Sequence, residues 1–187
     1  MKQSIIPEGK VVEEVNKAIV EGLDIKEGSV APDSSLIRDL GAESLDFLDI
    51  NYRLEQTFGI KLARHSILEH MEEMFGEESA IDENGRLTEK AAAMLRRRFG
   101  DGGASLEPGM DIDEVPAIVT VRSIVDGVLH VLDSLPDKCT SCGASAWTPE
   151  DGSRIKCGSC GEYAVFTNGD DLVREWLQEM QEEEKIF

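Results

Sequence analysis

Two sets of side chains in this sequence have the types and spacing to do chemistry. Cys139-Thr-Ser-Cys142 and Cys157-Gly-Ser-Cys160 are two C-x-x-C pairs, separated by the fourteen residues Gly143 to Lys156. Gly143 and Gly161 follow the pairs and let backbone N–H groups turn toward the sulfurs. Four thiolates at this spacing can surround one ion as a tetrahedron, which suits Zn²⁺, with iron as the alternative. Such a site uses every position for protein ligands, so it is structural and leaves none for a substrate. The second set centres on Ser44, in Asp39-Leu40-Gly41-Ala42-Glu43-Ser44-Leu45-Asp46. Gly41 permits a tight or left-handed turn just before a helix. Ser44 then falls in the first helical turn, where N–H groups are free and the positive end of the helix dipole lies. A phosphodiester on its oxygen would be stabilised there. The simpler role for a serine at such a place is to cap the helix. Nucleophilic catalysis finds no support: there is no G-x-S-x-G elbow, and nothing ties His65, His70 or His130 to Ser44.

The elements that must position these residues follow from apolar spacing. Val12, Val15, Ile19 and Leu23 predict an amphipathic helix, with Gly28 to Asp33 as a loop after it. Phe47, Ile50, Leu54 and Phe58 predict a second helix, stopped by Gly59. Thr120 can cap a helix carrying Val121, Ile124, Val125, Val128, Leu129 and Leu132, with Pro136 at its exit. Between them, Arg64 to Met74 and Thr88 to Phe99 read as helices around an Asp82-Glu83-Asn84-Gly85 turn. The stretch from Arg64 to about Pro108 reads as an insertion that is only partly packed. Tyr163 to Phe166 reads as a short strand, and Leu172, Val173, Trp176, Leu177 and Met180 form the apolar face of an acidic helix expected to pack on the cysteine module or the helical part before it. Two lesser motifs fail. Counting back from Gly85 puts Ala80 where a calcium loop needs aspartate, and His65 and His70 lack the H-E-x-x-H spacing, so both are expected at the surface.

The 187 residues suffice for one domain or two small ones. The composition is 41% hydrophobic but only 5% aromatic, so the core must be aliphatic. The net charge of −19 disfavours nucleic acid and anionic lipid and favours partners with basic patches. No apolar run approaches the roughly 20 residues of a membrane span. Met1 to Lys10 has no apolar core of a secretory signal, so a cytoplasmic location is expected. A reducing compartment disfavours disulfides, which again favours a metal for the cysteines.

The segment Asp39 to Asp46 resembles the D-L-G-x-D-S-L-[DE] attachment motif of acyl carrier proteins, with Glu43 in place of the usual aspartate. Leu54-Glu55 and Phe58-Gly59-Ile60 resemble that family's L-E-x-x-F-G-I. Asp33-Ser34-Ser35-Leu36 stands in the family's long loop, Asp111 to Val115 at its short third helix, and Val119 to Leu132 at its final one. The resemblance runs from about Val11 to Leu62 and resumes near Asp111, roughly half the chain. It implies a small helical bundle, and a 4′-phosphopantetheine arm moved from coenzyme A to Ser44 by a phosphopantetheinyl transferase. It implies a carrier that is not itself an enzyme, holding acyl chains as thioesters for acyl-loading, elongating or transferring enzymes of fatty acid or lipid biosynthesis. The second helix becomes the docking surface, through Leu45, Asp46, Leu48, Asp49, Tyr52 and Glu55. Asp46, Asp49 and Glu55 leave the apolar stripe, so a solvent-facing acidic strip is expected. The insertion sets the chain apart from short carriers and points to a specialised member.

The cysteine module resembles a zinc ribbon. Only Lys138, Arg154 and Lys156 stand against its acids, which favours protein contact or stability over nucleic-acid binding. The expected architecture is mainly α: an acyl-carrier-like helical bundle over 1–135 with a helical insertion at 64–108, a small four-cysteine zinc ribbon at 136–168 and an acidic amphipathic helix at 169–187. A monomer is expected. A peptidyl carrier and a non-carrier zinc-ribbon interaction module are the rival readings.

Overall fold

Three helices with apolar residues three and four apart form one core. The computed structural model describes residues 3–185, so Met1, Lys2, Ile186 and Phe187 lie outside the described residues. Helix α1 (Glu8–Leu23) follows Pro7, whose fixed φ suits a helix start, and buries Val11, Val15, Ala18 and Ile19. Helix α2 (Ser44–Phe58) buries Ile50, Leu54 and Phe58, and Gly59 ends it at φ 69°. Helix α5 (Val121–Leu132) is capped as expected: the Thr120 side chain accepts from Ser123 N, and Val121, Val125, Val128 and Leu132 turn inward. A 3-10 helix at Ile112–Ile118 occupies the expected short third element.

The insertion has its own core, which corrects the expectation of partial packing. Helices α3 (Ile67–Phe75) and α4 (Glu89–Phe99) fully bury Met71, Ala91, Met94 and Leu95, together with Leu106 from the loop beyond. The turn between them is held by Asp82, whose carboxylate accepts from Asn84 N and Arg86 N. The missing partner is helix α6 (Gly169–Glu184), whose Leu177 is fully buried in this second core, with Val173, Trp176 and Met180 packed around it.

The start of α6 is fastened to the exit of α2. Gly169 N donates to Lys61 O, and the Asp170 carboxylate accepts from Arg64 N and His65 N. His70 Nε2 donates to Asp170 Oδ1 at 2.9 Å. His70 is fully buried, which corrects its expected surface position; the partner that hides it lies a hundred residues downstream, beyond any local pattern. His65 is exposed. Burial opposes ionisation of Asp170, but the N–H donors of His65, His70 and Arg64 outweigh it and hold the carboxyl at about 2. An unfolded aspartate titrates near 3.9, so this carboxylate stabilises the fold above about pH 4, and the gain is lost as pH falls through about 2. In Asp170→Asn, thermal melts should therefore fall short of the native protein at pH 6 to 7 by about 1–2 kcal/mol, with the gap closing toward pH 2.

The cysteine module is a hairpin of β1 (Trp147–Glu150) and β2 (Arg154–Cys157), paired antiparallel with Trp147 opposite Cys157. The expected strand at Tyr163 to Phe166 is reduced to one bridge, Lys156 with Tyr163. Beyond Ala164 N, which donates to Ile155 O, the chain turns away to reach Asn168, the cap of α6. Ile155, Ala164 and Leu172 are buried in the core of α1, α2 and α5. Arg154 donates to Gln56 O, near the negative C-terminal end of α2.

Candidate functional site

The residues before Ser44 build its perch. The Asp39 carboxylate accepts from Ser35 N at 2.7 Å, Ala42 N donates to Leu36 O, and Gly41 sits at φ 75°, where other residues are strained. The loop itself is fixed to the entry of α5: Leu36 N donates to Val119 O, and Ser35 Oγ donates to Ala117 O. Glu43, not Ser44, takes the cap position, and its N–H donates to the Asp46 carboxylate at 2.7 Å. Ser44 is therefore the first residue inside α2, exposed, and its hydroxyl makes no hydrogen bond among the described residues. Capping is done by its neighbours, so the oxygen is free to bear a group. A phosphodiester there would face the unpaired N–H groups of the first turn, which fit an anion.

Along α2, Leu45, Leu48 and Tyr52 follow at three and four residues and are 76%, 56% and 58% exposed. The acidic strip is smaller than the sequence implied. Asp46 is engaged at the helix start, and Asp49 is paired with Arg53 at 2.6 Å. Glu55 is a correction: it is buried, with 2% of its side chain exposed. The chain leaving Gly59 folds back over it, so that Leu62 N and Arg64 donate to its carboxylate and Lys61 lies at 3.6 Å. Glu55 anchors the exit of α2. The outward face is an apolar row flanked by acids.

Ser44 also lines a cavity of about 1400 Å³, which local sequence patterns do not reveal. Its walls include Ser44 and Phe47 of α2; Ser123, Gly127 and His130 of α5; Leu68, Leu95 and Phe99 of the insertion; Val115 and Ile118 of the 3-10 helix; and Val173 of α6. The spacing of Ser123, Gly127 and His130 is four and three, one stripe of α5 opposite its valines. Only a packed insertion can form the facing wall, so the space becomes visible once the two cores are assembled.

None of the four cysteines is among the residues that line this cavity. Their ligand atoms all fall within 4.8 Å of one another. Cys139 Sγ is 3.7 Å from Cys160 Sγ, and Cys142 Sγ is 3.6 Å from Cys157 Sγ. A disulfide needs about 2.05 Å, whereas a tetrahedron with 2.3 Å zinc–sulfur bonds has edges of about 3.8 Å. Each knuckle closes as the glycines require: Gly143 N donates to Cys139 O and Gly161 N to Cys157 O, both glycines having positive φ. The Cys160 N–H draws the Cys157 thiol down to about 6, with Ser159 N–H assisting against burial. Glu162 N–H favours the Cys160 thiolate too, yet the crowding sulfurs and burial push that thiol up to about 12. Four negative sulfurs need a cation among them, and the donor set fits a divalent, thiophilic ion.

Comparison with known proteins bears on the region around Ser44. Residues 13–71 match the family model for the phosphopantetheine attachment site. An acyl carrier protein of Campylobacter hominis is 43% identical over 53 residues, 28% of this chain and 67% of that protein. No solved structure matches the chain.

Proposed function

The chain belongs to the acyl carrier protein family, and we propose on that premise that Ser44 bears the 4′-phosphopantetheine arm of an acyl, not a peptidyl, carrier. When bound, the arm supplies a thiol that holds the cargo as a thioester. The observation that carries this reading is the free, exposed Ser44 hydroxyl at the first position of α2, beside a large cavity whose lining is mainly apolar. Glu43 and Asp46 cap the helix in its place, so Ser44 is spared for attachment. The loop pinned to α5 fixes the direction from which the hydroxyl is reached. Leu45, Leu48 and Tyr52 offer apolar contact to the transferase and to acyl-handling enzymes, and Asp46 and Asp49 add charge that selects basic partners. The chain positions and protects cargo, and reaction chemistry belongs to the partners. Cys139, Cys142, Cys157 and Cys160 would hold zinc as a structural ion, bracing the hairpin against the C-terminal end of α2.

Coexpression with a phosphopantetheinyl transferase should add the mass of one phosphopantetheinyl group, located on Ser44 by peptide mapping. Ser44→Ala should gain nothing and keep its stability within about 0.5 kcal/mol, because the residue is exposed and caps nothing. No mass gain with several transferases would overturn the reading.

A further inference from the structure

The cavity is larger than the roughly 300–1,000 Å³ of ordinary small-molecule sites, and α5 keeps it open at a cost. Gly127 sits inside that helix and lines the cavity; a Cβ there would meet nothing within 4 Å. Glycine in a helix interior costs about 1 kcal/mol relative to alanine, yet no neighbouring atom demands it. What a side chain at this position would invade is the cavity itself.

Two polar groups that line the cavity, one on α4 and one on α5, have no hydrogen-bond partner among the described residues. The His130 Nε2 atom is buried and makes no hydrogen bond. Arg98 lies over the Trp176 ring at 5.3 Å, and among the described residues its N–H groups find no acceptor and its charge no ion pair. Asp126, whose charge acts on Arg98, is already paired with Arg122 at 2.7 Å. Burial pushes the pKa of both groups down, and the Arg98 charge adds to that effect on His130, while Asp133, Glu175 and Glu179 oppose it. A buried polar atom without a partner calls for an explanation, and both His130 Nε2 and the half-buried Arg98 line space that could hold one.

We propose that the inserted helices and α5 enclose a chamber for a long acyl chain that carries a carboxylate away from its thioester, with Arg98 and His130 receiving that carboxylate. This rests on Ser44 as the attachment site, since the tether at the chamber mouth is what delivers the chain. Leu68, Leu95 and Phe99 cover the methylenes, each worth about fourfold in the balance between inside and outside if fully buried. The oxyanion meets a guanidinium that has no carboxylate partner among the described residues.

The test uses the full chain loaded at Ser44 by a transferase from acyl-coenzyme A donors, with three species compared: the arm alone, a palmitoyl group, and its ω-carboxylated analogue. Intact mass establishes loading first; failure to load sinks Ser44, independently of the chamber. In loaded protein, NMR titration of the His130 ring should show its pKa raised by about one unit by the ω-carboxyl chain relative to palmitoyl. Equal titrations for the two chains would overturn the carboxylate station, as would the same shift from the arm alone, which would assign the anion to the arm's phosphate. Retention on a hydrophobic column reads the chamber separately. Palmitoyl loading should leave retention of the native chain nearly unchanged and increase it in Gly127→Phe, whose ring fills the space in a helix that tolerates it. Equal increases in both proteins would overturn the chamber.

Discussion

Gly169→Ala is expected to destabilise the protein by about 3 kcal/mol or more, a large effect for one methyl group. The added Cβ would stand 2.2 Å from Ala63 N and 2.7 Å from Leu62 C, both backbone atoms that no rotamer change can move aside. Relief requires α6 to back away from the exit of α2. That breaks the Gly169 N–H to Lys61 O bond and loosens the Asp170 contacts with Arg64, His65 and His70. Leu177 then leaves the insertion core, and Trp176 leaves the Arg98 guanidinium. Denaturant melts should give the loss, and faster amide exchange in α3, α4 and α6 than in α1 should locate it. Gly127→Ala provides the opposite sign, a gain of up to about 1 kcal/mol, because the same methyl group meets open space within a helix. A neutral Gly169→Ala would refute the close backbone approach.

Loss of the metal proposed for the four cysteines should have the other large effect. Structural zinc sites of this kind contribute about 10–16 kcal/mol of apparent binding free energy, so removing the ion or one ligand leaves a short hairpin with little else to hold it. Elemental analysis should find about one zinc per chain, and Cys157→Ser should bind none. The damage should not stay in the hairpin. Ile155 and Ala164 are part of the core built by α1, α2 and α5, so a strong chelator should lower the melting of those helices as well. A metal-free protein with the hairpin intact and an unchanged melting curve would refute this.

What the sequence made legible was local. Residues three and four apart marked α1, α2 and α5, Thr120 announced the start of α5, and two C-x-x-C pairs announced one sulfur cluster. What it concealed came from distant segments. Glu55 sits at a position that a helical projection turns outward, yet Leu62 and Arg64 of the returning chain seal it in. His70 had no visible partner because Asp170 lies on α6. The insertion read as loosely packed for the same reason: without Leu177 its apolar face is unfinished. The cavity is the extreme case, since it consists of no residue at all and exists only between surfaces from separate segments.

The fastening of α6 has a consequence for synthesis on the ribosome. The first core also takes in Ile155, Ala164 and Leu172, and the second takes in Leu177, so neither is complete until α6 has been synthesised. Until then the apolar faces of α3 and α4 lack the Leu177 side chain that packs on them. Gly169 and Asp170 then fasten α6 to the exit of α2, so a helix made long after α3 and α4 completes the cavity wall through Val173.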